Sequence, residues 1–227
     1  DTEYLWLDVL TMDSILQLVE SFIFYEVDKS NSKKKTLIFP RYHQRRAVSR
    51  LLEDMKTNHT DNNYLIQHSA GSGKTNTIAW LAHSLVSLHD DQNRNIVDTV
   101  LIVTDRIVVD RQLQDAVRQI SHKSGVVKVM GDRETSSDLA DAIAGNTKII
   151  ATTIHKFAQI NQSDWMSVGN TANKKFAILI DEAHSSTTGS YMSSVSQVLT
   201  ETDPENGTID EVQEVTVADA IEQEIAR

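Results

Sequence analysis

Short apolar runs typical of buried strands recur along this chain, and amphipathic segments typical of helices separate most of them. The apolar runs lie at residues 64–66, 100–103, 126–129, 149–151 and 176–180, and the helical segments lie near 74–88, 107–120 and 137–144. Continuously apolar strands that alternate with helices are typical of a parallel sheet covered on both faces. The pattern therefore predicts an α/β fold, a three-layer sandwich with a mostly parallel central sheet.

Two further helices are predicted upstream of the first apolar run. One covers residues 11–24, has Thr11 as a candidate N-cap and carries helically spaced apolar residues, namely Met12, Ile15, Leu16, Val19, Phe22 and Ile23. The other covers residues 41–57 and carries Val48, Leu51, Leu52 and Met55 on one face. The polar, lysine-rich residues 28–35 between them predict a loop.

A glycine-rich segment, Ala70-Gly71-Ser72-Gly73-Lys74-Thr75, joins the first predicted strand to the helix that follows. Glycines let a backbone fold around phosphates, and the N-terminus of the helix adds partial positive charge. Lys74 would reach the β- and γ-phosphates of ATP, and the Thr75 hydroxyl would ligate Mg²⁺. His68 takes the place of the usual first glycine, so the backbone there should not need a positive φ. A chance glycine-rich turn is the alternative, and the strand–loop–helix context argues against it.

A pair of acids follows the last predicted strand, at the edge where α/β sheets bind ligands. Asp181 would hold Mg²⁺ together with its hydration shell, and Glu182 would polarise the attacking water as a general base. An acidic pair at a strand end can instead cap a helix. The phosphate loop upstream favours the catalytic interpretation, in which Lys74, Asp181 and Glu182 act on ATP bound with Mg²⁺.

The run Asp181-Glu182-Ala183-His184 resembles the Walker B motif of DEAH-type superfamily-2 helicases and translocases. The resemblance extends over roughly residues 38–190 and implies a RecA-like P-loop NTPase domain. Phe39-Pro40-Arg41-Tyr42-His43-Gln44 is similar to the glutamine motif of that superfamily. The resemblance implies that Gln44 reads the adenine, that an aromatic residue stacks on it, and that His184 links the nucleotide site to the DNA contacts.

Two more segments extend the resemblance to motifs that contact DNA in this superfamily. Val103-Thr104-Asp105-Arg106 and Thr152-Thr153-Ile154-His155-Lys156-Phe157 are similar to motifs that contact nucleic acid. With the phosphate loop and Walker B motif, the set resembles the motor subunit of type I restriction enzymes. The resemblance implies DNA contacts at Thr104, Arg106, Thr153 and Lys156, with double-stranded DNA and the specificity and methylation subunits as partners. Read from the residues alone, Gln44, Arg106 and Lys156 could be ordinary surface residues, and Thr153 could also cap a helix beginning at Ile154.

The predicted organisation has three parts. Residues 1–37 form an N-terminal helical and linker segment, residues 38–199 the first RecA-like domain, and residues 200–227 an acidic C-terminal segment. The resemblance implies that a nuclease domain and a second RecA-like domain with an arginine finger lie outside this sequence. We therefore expect the ATP-binding half of a duplex DNA translocase, with an ATP-dependent helicase and a non-hydrolysing nucleotide-binding module as alternatives.

The formal net charge of −10, from 32 acids and 22 bases, by itself argues against a nucleic-acid-binding protein. Its distribution removes that argument. Residues 200–227 contain nine acids and one base, whereas residues 29–50 contain eight bases and no acid.

The chain contains no cysteine, which excludes a disulfide scaffold, a cysteine nucleophile and a cysteine-based zinc site. No apolar run approaches the roughly 20 residues that span a bilayer, and the N-terminus lacks a signal-peptide pattern. We expect a cytoplasmic protein without a membrane partner.

Overall fold

The structure is a computed structural model, and it describes residues 3, 5–27, 34–58, 63–104, 109, 111–120, 126–131, 133–160 and 174–181. Its helices are α1 (Met12–Gln17), α2 (Tyr42–Asn58), α3 (Lys74–Val86), α4 (Arg111–Ile120), α5 (Ser136–Ala144) and α6 (Ile154–Ala158). Its strands are β1 (Phe24–Val27), β2 (Lys35–Ile38), β3 (Thr99–Thr104), β4 (Val127–Val129), β5 (Ile149–Thr153) and β6 (Phe176–Asp181). None of these helices is long and apolar enough to cross a bilayer.

Four strands form a parallel sheet in the order β4-β5-β3-β6. Strand β3 lies in its interior, between β5 and β6, and every residue of β3 is buried. Such a strand has an apolar neighbour on both faces, which explains why its sequence is continuously apolar rather than alternating. The predicted parallel sheet is confirmed for these four strands.

Successive side chains of β3 enter two different hydrophobic clusters, because side chains of a strand alternate between the faces of the sheet. Val100 and Ile102 belong to the cluster that includes residues of α2, α3 and α4. Leu101 and Val103 belong to the cluster that includes residues of α5 and the first residue of α6. Helices therefore cover both faces, and the predicted three-layer sandwich is confirmed.

The predicted helices after residue 40 agree closely with the structure. Helix α2 buries Val48, Leu51 and Met55 as its spacing predicts. Helix α5 begins with a capping box, in which the Thr135 hydroxyl accepts from the Asp138 N–H and the Asp138 carboxylate accepts from the Thr135 N–H. Helix α4 begins at Arg111, and residues 107, 108 and 110 of the predicted segment 107–120 lie outside the described residues.

The predicted strand at residues 64–66 is wrong. These residues join no described strand, and Tyr64 and Leu65 are 39% and 79% exposed. The Tyr64 hydroxyl instead donates to the Asp54 carboxylate on α2, at 2.6 Å. An apolar run becomes a strand only where a neighbour completes its hydrogen-bond ladder, and the sequence pattern does not specify the neighbour.

The N-terminal segment also differs from its prediction. Thr11 caps α1 as predicted, but π-helical turns at Leu5–Val9 and Leu18–Phe22 flank that short helix. The turn at Leu18–Phe22 departs from the 3.6-residue helical phase that the sequence predicted. Leu18 and Phe22 are buried, whereas four residues of the expected apolar face are exposed, namely Met12, Ile15, Leu16 and Val19.

An antiparallel hairpin that the sequence did not predict follows this segment. Strand β1 pairs with β2 so that Phe24 faces Ile38. The hairpin packs on the rest of the chain through Trp80, which is 1% exposed. The Trp80 indole N–H donates to the Phe22 carbonyl at 2.9 Å. The ring centroids of Phe22 and Phe24 lie 5.8 and 6.0 Å from the ring centroid of Trp80. Trp80 is therefore a core residue that joins the hairpin to α3.

Candidate nucleotide-binding site

The glycine-rich loop turns just before α3. Gly71 and Gly73 have φ values of +72° and +89°, in the left-handed region that favours glycine. A Cβ atom at Gly73 would lie 2.5 Å from the Gln44 side-chain nitrogen, whereas the space around Gly71 is open. Gly73 is thus required both by its backbone conformation and by the close approach of α2.

Helix α3 begins directly at the end of the loop. Gly73 is its N-cap and offers no side chain to the first-turn N–H groups. Its carbonyl accepts from the N–H and the hydroxyl of Thr77, at 3.2 and 3.3 Å. Lys74 and Thr75 are half-buried on the first turn. An uncapped helix start that carries a lysine and a hydroxyl suits an anionic ligand such as a phosphate.

Three side chains at the start of α2 contact three consecutive carbonyls of the loop. Arg41 donates to the Gly71 carbonyl at 3.4 Å, and Gln44 donates through Nε2 to the Gly73 carbonyl at 2.9 Å. Between them, His43 Nε2 lies 3.1 Å from the Ser72 carbonyl oxygen, which makes this nitrogen the donor. We call residues 41–44 the loop brace.

Gln44 is 3% exposed, and its amide is engaged at both ends. Its Oε1 accepts from the Arg41 N–H at 2.8 Å, while Nε2 bonds to Gly73. The contact shown by the structure is therefore with the phosphate loop, and the adenine contact of Gln44 stays a prediction.

His68 and His43 pack edge to face beside the loop, with ring centroids 5.0 Å apart. Burial lowers the pKa of His68, and the neighbouring His43 and Lys74 lower it further. Among the described non-glycine residues, Asn93 alone has a positive φ. The backbone at His68 therefore needs no glycine, as the sequence predicted.

Three predicted site residues lie side by side at the carboxyl edge of the sheet. Thr104 at the end of β3 is in register with Thr153 of β5 on one side and Asp181 of β6 on the other. Thr104 and Thr153 are 2% and 1% exposed, and Asp181 is half-buried. Parallel strands bring their carboxyl ends to one edge, so residues 77 positions apart in sequence become neighbours here.

The predicted DNA contacts are placed only in part. The Lys156 ammonium donates to the Glu134 carbonyl at 2.9 Å and also to the Gly131 carbonyl. The Thr153 hydroxyl accepts from the Lys156 N–H at 3.4 Å, which confirms that it caps α6. In this structure Lys156 holds the loop that follows β4, and DNA contact by Thr104, Thr153 and Lys156 stays a prediction.

Three predicted site residues, Arg106, Glu182 and His184, lie outside the described residues, as does the acidic segment 200–227. Among the described residues, no group of three or more His, Asp or Glu could hold a metal ion unaided. A Mg²⁺ site does not need such a group, because Mg²⁺ keeps several waters and takes one or two protein ligands beside substrate phosphates. Thr75 and Asp181 offer oxygen ligands of the kind that Mg²⁺ prefers.

Sequence reasoning assigned no role to Arg41 and His43, although both stand in the segment compared with the glutamine motif. Their spacing to Gln44 places Arg41 directly before α2 and His43 on its first turn beside Gln44, so the three side chains can reach one loop. That spacing is the only signal that could have indicated a shared contact. The partner carbonyls lie 29 or 30 residues away in sequence, so no local pattern reveals them.

The parallel sheet and the phosphate loop at the start of α3 define the class of this chain, a RecA-like P-loop nucleotide-binding domain. It belongs to the SWI2/SNF2 ATPase family, whose sequence profile matches residues 43–203. Membership of an ATPase family implies that the chain binds a nucleotide.

Curated relatives of this chain include endonuclease subunits of type I restriction enzymes. One putative subunit from Methanocaldococcus jannaschii is 27% identical over 212 residues, which cover 87% of this chain and 20% of that protein. A second putative subunit from that organism is 31% identical over 51% of this chain and 11% of its own length. A subunit from Staphylococcus saprophyticus is 29% identical over 70% of this chain and 16% of its own length.

The chain thus spans about a fifth or less of the length of these relatives. The similarity confirms the resemblance to type I restriction enzyme subunits that the motifs predicted.

Proposed function

We propose that this chain is the ATP-binding half of an ATP-dependent duplex DNA translocase within a type I restriction endonuclease. The observation that carries the proposal is the braced phosphate loop at the start of α3, in a sheet whose carboxyl edge aligns Thr104, Thr153 and Asp181. The similarity to type I restriction enzyme subunits supports the choice of complex.

In this proposal the loop and Lys74 bind the triphosphate of ATP. The backbone N–H groups of residues 71–75 face the phosphates, and the ammonium of Lys74 neutralises charge that develops on the β- and γ-phosphates. Glu182 orients and deprotonates the attacking water. Asp181 and Thr75 would hold Mg²⁺, whose positive charge would offset the charge of the phosphates when it is bound.

The adenine would lie against the exposed aromatic residue that precedes α2. Phe39 is 57% exposed, and Tyr42 is 51% exposed but has the Arg46 guanidinium over one face of its ring, 5.5 Å from the centroid. Phe39 therefore offers the freer stacking face, and Gln44 would read the base edge from behind it. For that contact Gln44 must share its amide between the base and the phosphate loop.

DNA would bind at the carboxyl edge of β3 and β5, through Arg106 and Lys156 and the backbone near Thr104 and Thr153. Most such contacts reach phosphates, so binding should be independent of sequence and should weaken with salt. In the proposed complex, other subunits supply site recognition and methylation. A second RecA-like domain would supply an arginine finger, which raises the rate of nucleotide hydrolysis about 10³–10⁵-fold.

The first test is calorimetric titration of Mg·ADP into the 227-residue chain and its Lys74→Ala variant. We expect the chain to bind Mg·ADP, the variant to lose most of that affinity, and ATP turnover by the chain alone to be slow. Rapid DNA-stimulated turnover by this chain alone would contradict the division into two halves.

A second test concerns the complete restriction subunit on DNA. Displacement of a triplex-forming strand without separation of the duplex strands would support translocation. Separation of duplex strands would favour the helicase instead. Retention of ATP without hydrolysis would indicate a nucleotide-binding module.

A further inference from the structure

We propose that His43 is a positioning residue for the phosphate loop, and that Arg41 assists it. The brace sets the direction of the loop's N–H groups before a nucleotide arrives. The inference rests on the proposed nucleotide binding, and it assigns a task to two residues for which the motif comparison provides none.

The argument starts from the planar trans peptide, in which the N–H of one residue points opposite to the carbonyl of the residue before it. The Ser72 carbonyl lies 3.1 Å from His43 Nε2, and the Gly73 carbonyl accepts from Gln44 at 2.9 Å. With both carbonyls held towards α2, the N–H groups of Gly73 and Lys74 must point away from α2. Neighbouring N–H groups that point the same way form an anion-binding concavity.

His43 is well placed to do this, because the protein holds its ring on two sides. The ring is half-buried and packs edge to face against His68 at 5.0 Å. Helix α2 holds the backbone of His43 through its buried face. A donor on so fixed a ring restrains the Ser72 carbonyl more than a mobile surface side chain could.

The three contacts differ in how strongly they restrain the phosphate loop. The Arg41 bond is 3.4 Å long and solvent-exposed, so water replaces it readily. The Gln44 bond joins a carbonyl that also accepts from Thr77, so its loss leaves that oxygen with other donors. For the Ser72 carbonyl, His43 is the only hydrogen-bond partner found among the described residues. His43 therefore makes the largest separate contribution to loop geometry.

The experiment compares His43→Leu, which removes the donor, with His43→Gln, whose amide nitrogen can reach the position of the ring Nε2. His89→Leu is the matched control, because His89 is an exposed histidine that bonds a backbone carbonyl only two residues away, at Ser87. The readouts are the Kd for Mg·ADP by calorimetry and the hydrogen exchange of amides 69–75 in the nucleotide-free chain.

We expect His43→Leu to weaken Mg·ADP binding about tenfold, as for loss of one partly buried hydrogen bond. We expect faster exchange in amides 69–75, recovery of both properties to within about threefold in His43→Gln, and no change in His89→Leu. Arg41→Met should weaken binding only about twofold. If His43→Leu does not fold, His43→Asn replaces it, because its shorter amide does not reach the Ser72 carbonyl.

Unchanged affinity and unchanged exchange in His43→Leu would overturn the inference, as would a loss that His43→Gln fails to restore. If the wild-type chain binds no Mg·ADP, the proposed function fails. The exchange comparison still decides whether His43 holds the loop, so the two failures are distinguishable.

Discussion

The side-chain amide of Gln44 donates to the Gly73 carbonyl at 2.9 Å, and a methyl group at Gly73 would approach the same nitrogen to 2.5 Å. Helix α2 and the phosphate loop therefore meet without space for any side chain at Gly73. The contact makes a residue 29 positions upstream part of the nucleotide site. It also means that substitutions on either side of the contact should disturb the same loop.

Gly73→Ala should damage the loop through two separate effects. Alanine at a φ of +89° costs roughly 1 kcal/mol or more in backbone strain, and its methyl group collides with Gln44. We expect loss of Mg·ADP binding by calorimetry and a lower melting temperature. Gly71→Ala is the matched control, because its φ of +72° is also strained but the space around it is open. Equal losses in the two variants would show that the contact with Gln44 contributes nothing.

Gln44→Leu should destabilise the folded chain, because it leaves the Arg41 N–H without its side-chain acceptor and removes one donor from Gly73. The expected loss is about 1 kcal/mol in the free energy of unfolding, measured by urea denaturation. Gln44→Glu keeps an acceptor for Arg41 but places a carboxylate against the Gly73 carbonyl. We expect the glutamate variant to bind Mg·ADP more weakly than the leucine variant, and the reverse order would contradict this account of the contact.

Stability should fall as the pH drops below about 6.5, partly because of His83. Its Nε2 donates to the Val117 carbonyl at 2.7 Å, joining α3 to α4, and burial lowers the pKa of His83 despite that bond. The folded chain therefore takes up a proton at a lower pH than the unfolded chain does. Stability is complete above the unfolded pKa of about 6.5 and declines until the pH passes below the folded pKa.

The measurement is the urea midpoint of wild type and His83→Gln between pH 8 and pH 5. The glutamine variant should show a smaller loss of stability over this range. The lowered pKa of His68 acts in the same direction, so the double variant with His68→Gln should flatten the profile further. Parallel profiles for all three proteins would refute the assignment.

Lys156→Met should release the loop that follows β4. The substitution leaves the Gly131 and Glu134 carbonyls without their ammonium donor, so amides 131–135 should exchange faster. A loss of about 1 kcal/mol would lower the melting temperature of a chain this size by about 2–4 °C. Duplex DNA binding across a range of salt concentrations tests the other role, because loss of a phosphate contact should reduce the salt slope by about one.

The central architecture could be predicted because local sequence patterns specify it. The runs that became β3 and β5 are apolar over several consecutive residues and are buried throughout, as interior strands of a parallel sheet must be. The face of α2 repeats at the helical period, and the phosphate loop needs glycine where φ is positive. Each of these signals lies within a few residues of the structure it specifies.

The apolar run at 64–66 shows where local patterns fail. It resembles the other runs, yet it joins no described strand, because pairing depends on which segments become neighbours after folding. The hairpin of β1 and β2 was missed because its strands are only four residues long and mostly exposed. Most of the expected apolar face of residues 11–24 is exposed, because helical spacing does not specify which face of a helix meets the rest of the chain.

By itself, the sequence determined the α/β class, the position of the phosphate loop and the family to which the chain belongs. Only the tertiary structure decided that His43 and Gln44 hold that loop, that Thr104 lies between Thr153 and Asp181, and that Lys156 bonds to backbone carbonyls. The physical reason is the sequence separation over which each signal acts. Helix phase, burial pattern and glycine conformation act within a few residues, whereas a side chain that bonds to a carbonyl 29 residues away leaves no periodic trace in the sequence.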